Sequence, residues 1–402
     1  MEKPGHSVKK KSSALLIGIA FLSFIVTGLN AGLMGVTWPS IRAAFGIPVD
    51  AIGTLMLLST AVALVVSFNS GPMIGKIGLG TLLLGGCIIG GLGFLGTAWS
   101  PAWWVMILFG MVATTGSAII NTGLNTYFAT NASAGLMNWL HACFGLGATV
   151  SPAIMTAVLN RGTSWRWGYV LVALSYGALA ASFGLTLKRW PLAEATPVEA
   201  APNTPPDAPA KVRSRDTLKL PAVWLSIILF FTFTGMEGSA GQWPYTLFTE
   251  ARSIDPATAG FWVSVYWASM TVGRIFFGIV VNRVRTVPLV RTCMIGSICG
   301  AILIWWNASD TLSFLGLALI GFSGSPLFPV LTSNTPERLG PEHALNAIGF
   351  QITAVRLGLA AIPALGGLLA RAFGLEIIGP FLFVIAVAMF LLYEASIPRK
   401  EQ

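Results

Sequence analysis

Gly235-Met236-Glu237-Gly238-Ser239-Ala240-Gly241-Gln242-Trp243 sets a carboxylate in the middle of an apolar segment bounded by Lys219 and Glu250. Of the fifteen acidic residues in the chain, Glu237 is the one that falls inside a hydrophobic span. A segment helical throughout puts it about 27 Å from Lys219 and about 20 Å from Glu250, which is mid-membrane. An ionised side chain at that depth is costly, so it is expected to face a cavity or a partner and to be functional. The three glycines and Pro244 are expected to weaken the helix just there, as helices do where they line a transporter's binding site.

The rest of the chain agrees with a membrane setting. Its 402 residues are 10% charged and 54% hydrophobic, with a mean hydropathy of +0.75. Apolar runs of about 20 residues match the bilayer core, and twelve of them occur. The expected organisation is a tail over 1–13, a six-helix bundle over 14–187, a linker over 188–217, a second six-helix bundle over 218–393, and a tail over 394–402. The linker is rich in proline, alanine and charge and cannot pack a core.

The net charge of +9 does not point to nucleic acid, because Lys and Arg are sorted by loop. With the N-terminus inside, cytoplasmic segments hold 17 of them and external loops 5, while Arg274 and Arg356 lie within spans. That asymmetry places both termini in the cytoplasm of an inner-membrane protein. Cys87, Cys143, Cys293 and Cys299 all lie in apolar spans and read as small hydrophobes. His6, His141 and His343 lie in separate regions, and no nucleophile stands beside a base. Neither catalysis, a metal site nor a cofactor is expected.

Two echoes suggest duplicated halves. Gly71-Pro72-Met73-Ile74-Gly75-Lys76-Ile77-Gly78, read as a tight turn, is echoed 207 residues later by the stretch from Gly278 through Asn282 and Arg283 to Arg285. Leu146-Gly147 with Pro152-Ala153 returns as Leu357-Gly358 with Pro363-Ala364, an offset of 211.

Several polar side chains within spans are candidate solute contacts. Asn121 and Asn125 are four apart and share a helix face; they suit sugar hydroxyls or a lock between helices. Asn30 reads either as an interhelical hydrogen-bonding group or as a ligand contact. Tyr266, with Trp262 and Trp267, suits stacking on a sugar ring or simple packing. His141 reads as a structural histidine or a proton carrier. Arg356 is expected to pair with Glu237, to bond carbonyls and amides such as Gln351, or to receive an anion.

These residues resemble the major facilitator superfamily, and within it the fucose permease-like branch that also includes sodium-dependent glucose transporters. The telling pieces are Gly235-x-Glu237-x-x-x-Gly241-x-Trp243 and Met137-Asn138-x-Leu140-His141-x-x-Phe144-Gly145-Leu146-Gly147. Pro326-x-Phe328-Pro329, Thr335-Pro336-Glu337-Arg338-Leu339-Gly340 and Ile348-Gly349-Phe350-Gln351 join them. The resemblance implies two six-helix bundles about a cavity open alternately to each side, and sugar uptake driven by protons, with sodium the other candidate ion. Gly75 and Asn282 stand where that family usually carries an Asp, so loop gating falls to Lys76, Asn282 and Arg283. Asn121 stands where the fucose permease uses an acidic residue.

The expected function is secondary active transport of a small polar solute, a sugar first, by a monomer. Glu237 and Arg356 carry proton coupling, and Asn30, Asn121, Asn125, Gln242, Trp243, Tyr266 and Gln351 contact solute. An organic-anion transporter built on Arg356 and an exporter of amphipathic compounds are the alternatives.

Overall fold

The computed structural model describes residues 14–132, 134–190 and 212–397, so most of the expected linker, the N-terminal tail and residues 398–402 lie outside the described residues, while the last helix runs on to Ser396, past the expected boundary at 393. Twelve helices among the described residues are long and apolar enough to cross a membrane. In the first half these are α1 (Ala14–Phe45), α2 (Val49–Ile77), α3 (Leu79–Ala98), α4 (Trp103–Asn131), α5 (Gly135–Asn160) and α6 (Arg166–Leu185). The second half supplies α7 (Pro221–Ala251), α8 (Pro256–Val280), α9 (Thr286–Trp306), α10 (Asp310–Ser333), α11 (Pro341–Phe373) and α12 (Leu375–Ser396). Helices satisfy their backbone groups internally, which a bilayer requires. Leu185 and Phe68, 87% and 74% exposed, show the apolar outer surface that lipid covers.

The helices form two six-helix bundles with matching internal packing. Helix α1 packs on α5 as α7 packs on α11, α3 on α4 as α9 on α10, α3 on α6 as α9 on α12, and α2 on α4 as α8 on α10. Between the bundles, α5 meets α8 and α2 meets α11, and a pseudo-twofold operation exchanges these two seams. The sequence echo is part of this packing. Gly147 lets α5 approach the α1 backbone at Ile25 and Leu29, and Gly358 lets α11 approach the α7 backbone at Phe231. A side chain at either position would collide with that backbone, so small residues hold each pair close.

Two expectations about helix ends and breaks are corrected. The turn over 71–78 is mostly helix: α2 continues through Pro72 to Ile77 and turns only at Gly78, where φ is +80°. Helix α1 likewise runs through Pro39 to Phe45. Glycine and proline do not break α7 at Glu237; the helix is continuous over Pro221–Gln242, and a π-turn follows at Leu247–Ala251. Its glycines serve contact instead: Gly235 lies against Ile362 of α11, and Gly241 against Trp267 of α8.

Candidate functional site

Glu237 is partnered by an arginine, but not the expected one. Its Oε1 lies 4.0 Å from Nη2 of Arg274 on α8, and its side chain is 20% exposed. At that distance the contact is an ion pair without a hydrogen bond, which leaves the carboxylate able to take another donor. Tyr266 Oη donates to the Glu237 carbonyl at 2.9 Å and so fixes α8 beside α7 at this level. Phe233, Met236, Tyr266, Met270 and Ser297 complete a cavity of about 10 Å³ beside Glu237. That is about the room one water needs.

Arg356 does not reach this pair. Thr234 Oγ1 donates to the Val355 carbonyl at 3.1 Å, while a Cβ on Gly238 would meet the Leu359 carbonyl at 3.2 Å and Pro363 Cγ at 3.1 Å. This register sets Arg356 about one helical turn short of Glu237. Arg356 is half-buried and makes no ion pair among the described residues.

The Glu237–Arg274 pair lies beside the seam of α5 and α8. Gly145 of α5 rests on Thr271 of α8, whose Oγ1 would lie 2.7 Å from a Cβ there. The helices are antiparallel, so His141 and Arg274 follow on the same side, each about one turn nearer the terminus-bearing end. Both are exposed, and the His141 ring meets Phe24 edge-on at 5.6 Å. Exposed polar side chains at this depth mark an aqueous opening rather than a lipid face.

A larger cavity of about 210 Å³ lies in the first bundle, toward the end opposite the termini. Asn30, Met34, Ser59, Phe94, Thr114 and Tyr169 line it, and Gln242 enters it from α7 of the second bundle. Gln242 is 5% exposed, and its Nε2 is buried with no hydrogen-bond partner.

Residues 20–249 and 225–402 match the Major Facilitator Superfamily. The chain belongs to this superfamily. It is similar to Bypass of stop codon protein 6 of Saccharomyces cerevisiae, 23% identical over 94% of this chain and 81% of that protein. Among solved structures, the nucleoside transporter NupG covers 96% of the chain at 14% identity, over 100% of its own length, with a TM-score of 0.77. A D-xylose-proton symporter covers 93% at 12% identity, over 96% of its own length, with a TM-score of 0.69. A superfamily member with this fold is a secondary transporter acting on small-molecule solutes within the membrane.

The remaining expected site residues divide. Asn30 and Gln242 both line the larger cavity. Asn125 Nδ2 donates to the Asn121 carbonyl at 2.9 Å and to Asn121 Oδ1 at 3.0 Å, so these two bond each other rather than a second helix. Tyr266 lines the small cavity beside Glu237. Trp243 is corrected to a packing role: it is fully buried and its Nε1 donates to the Pro363 carbonyl at 3.0 Å. Gln351 is corrected likewise, since its Nε2 donates to Ser226 Oγ at 2.7 Å and Thr335 Oγ1 at 3.0 Å within the second bundle.

Lys76 and Arg283 are exposed at the terminus-bearing end, and the side chain of Asn282 lies outside the described residues. Among the described residues, the ion pairs that join the bundles both lie at the other end. Arg42 holds Glu250 at 2.7 Å, and Arg371 holds Asp50 at 3.2 Å. The transporter is thus closed at the end opposite its termini.

Proposed function

We propose that this transporter moves a small polar solute, a sugar, by alternating access, and that proton binding at Glu237 drives the cycle. The observation that supports this reading is the long Glu237–Arg274 ion pair, with neither charge fully buried, beside a seam where the bundles meet. A proton on Glu237 cancels the carboxylate's charge and with it the attraction to Arg274, so the two charge states favour different placements of α8 relative to α7. Because α8 is also half of the α5–α8 seam, a shift there alters how the bundles meet. The fucose permease-like resemblance of the Glu237 and His141 segments supports a sugar, and the D-xylose-proton symporter and nucleoside transporter carry uncharged, hydroxyl-rich solutes on the same fold. The topology that fits is a monomer in a cell inner membrane with both termini cytoplasmic and the cavity closed outside.

Uptake into vesicles by Glu237→Gln tests the coupling. Proton-driven accumulation should fail while solute exchange persists; undiminished accumulation defeats the proposal, and accumulation that follows a sodium gradient instead reassigns the driving ion. A second reading, an organic-anion transporter, is favoured by one observation: Arg356 is half-buried without an ion partner among the described residues. In that case Arg356→Lys should cripple anion uptake with Glu237 intact, because a bidentate fork is lost.

A further inference from the structure

We propose that the cavity in the first bundle is a binding subsite for a neutral, hydroxyl-bearing ring the size of a monosaccharide, with Gln242 as the second bundle's contact to it. The inference rests on the transporter reading for its purpose, but the chemistry of the cavity stands by itself. The site lies off the seam, among α1, α2, α3, α4 and α6.

Its size sets the first limit. A cavity of about 210 Å³ exceeds the roughly 150 Å³ that encloses benzene in an apolar protein interior, so one six-membered ring with substituents fits. Its charge sets the second. No Asp, Glu, Lys, Arg or His lines it, and an ion brought here would lose its hydration without gaining a counter-charge.

The polar groups exclude a purely apolar occupant. Gln242 lines the space with an unpartnered amide: its Nε2 is closed off with no acceptor, and its Oε1 makes no hydrogen bond among the described residues, so a ring hydroxyl can donate to it. Asn30, Ser59 and Thr114 line the same space and show no hydrogen bond to protein among the described residues. Amides and hydroxyls both donate and accept, as a ring hydroxyl does, so each can find a match whichever way the hydroxyl turns. These four come from four different helices, α1, α2, α4 and α7. Met34, Met56 and Met106 supply flexible apolar surface that can fit the ring's carbon face.

The test uses the full chain in lipid nanodiscs, reading thermal stabilisation and equilibrium binding. The probes are D-glucose, D-xylose and myo-inositol, with D-glucuronate as a size-matched anion and cyclohexanol as an apolar ring. At least one neutral polyol should stabilise the protein, and neither glucuronate nor cyclohexanol should. Gln242→Leu should raise the half-saturating concentration about tenfold, the worth of one good hydrogen bond. Thr114→Phe should abolish binding by filling the space. Polyol binding indifferent to Gln242→Leu overturns the subsite even where Thr114→Phe does not fold, as does a preference for glucuronate or the absence of any polyol binding. Wild type that binds a polyol at this site yet neither accumulates nor exchanges it keeps the subsite and removes the transporter reading. Intact uptake with binding insensitive to both cavity variants does the reverse.

Discussion

Arg42 near the end of α1 grips Glu250 in the last turn of α7 at 2.7 Å, fastening one bundle to the other. Arg371 and Asp50 do the same between α11 and the start of α2 at 3.2 Å. Each pair has one partner substantially open to solvent, and such pairs contribute about 0.2–1 kcal/mol. Fastenings this weak hold a conformation without trapping it.

Removing one fastening should therefore open the closed end partially. Thr156 and Gly260 face each other across the α5–α8 seam there. A Thr156→Cys reporter should react about two- to fivefold faster with an impermeant maleimide in the Arg42→Ala background. The exchange Arg42→Glu with Glu250→Arg should restore the slow rate. Labelling indifferent to both changes would show that the pair does not hold the gate.

Gly35→Ala should open the same end more strongly. A Cβ there would lie 2.7 Å from the Gly241 carbonyl and 3.2 Å from that of Gln242, and backbone cannot rotate aside as a side chain can. Overpacking of this kind costs about 1–3 kcal/mol. The Thr156→Cys reporter should then gain on the order of tenfold in labelling rate.

Trp243→Phe separates packing from solute contact. It removes the buried indole's hydrogen bond to the Pro363 carbonyl, which keeps its bond within the α11 helix, at about 0.5–1.5 kcal/mol. The unfolding midpoint should fall by a few degrees while the solute concentration for half-maximal uptake stays unchanged. A change in that concentration without loss of stability would return Trp243 to the solute site.

Arg274→Gln should abolish accumulation as completely as Glu237→Gln, because each removes one half of the same pair. The double variant should be no worse than either single one, the non-additivity expected of residues in contact. Additive losses in vesicle uptake would mean the two act separately.

The twelve spans were legible because lipid tolerates only long apolar helices, and the halves because Leu146-Gly147 and Leu357-Gly358 repeat one close approach. Glu237 stood out as an ionisable group at depth. Its partner did not, although Arg274 was one of two arginines within spans, because the choice between Arg274 and Arg356 depends on how α7 registers against α8 and α11. Trp243 and Gln351 misled for a related reason: a buried indole N–H or amide suits a solute or a neighbouring helix equally well, and only tertiary contacts decide. The helix through Pro72 outran its expected end because proline near a helix end removes a donor without stopping the turn, as Pro39 also shows in α1. The 210 Å³ cavity gave no local signature, since its walls come from six helices.

Gln242 belongs to one bundle yet lines a cavity of the other. If the bundles tilt apart at that end, the amide must be withdrawn from whatever it has grasped. Loading and tilting are then two readings of a single lever, so occupant and hinge cannot be tuned independently by changing this residue.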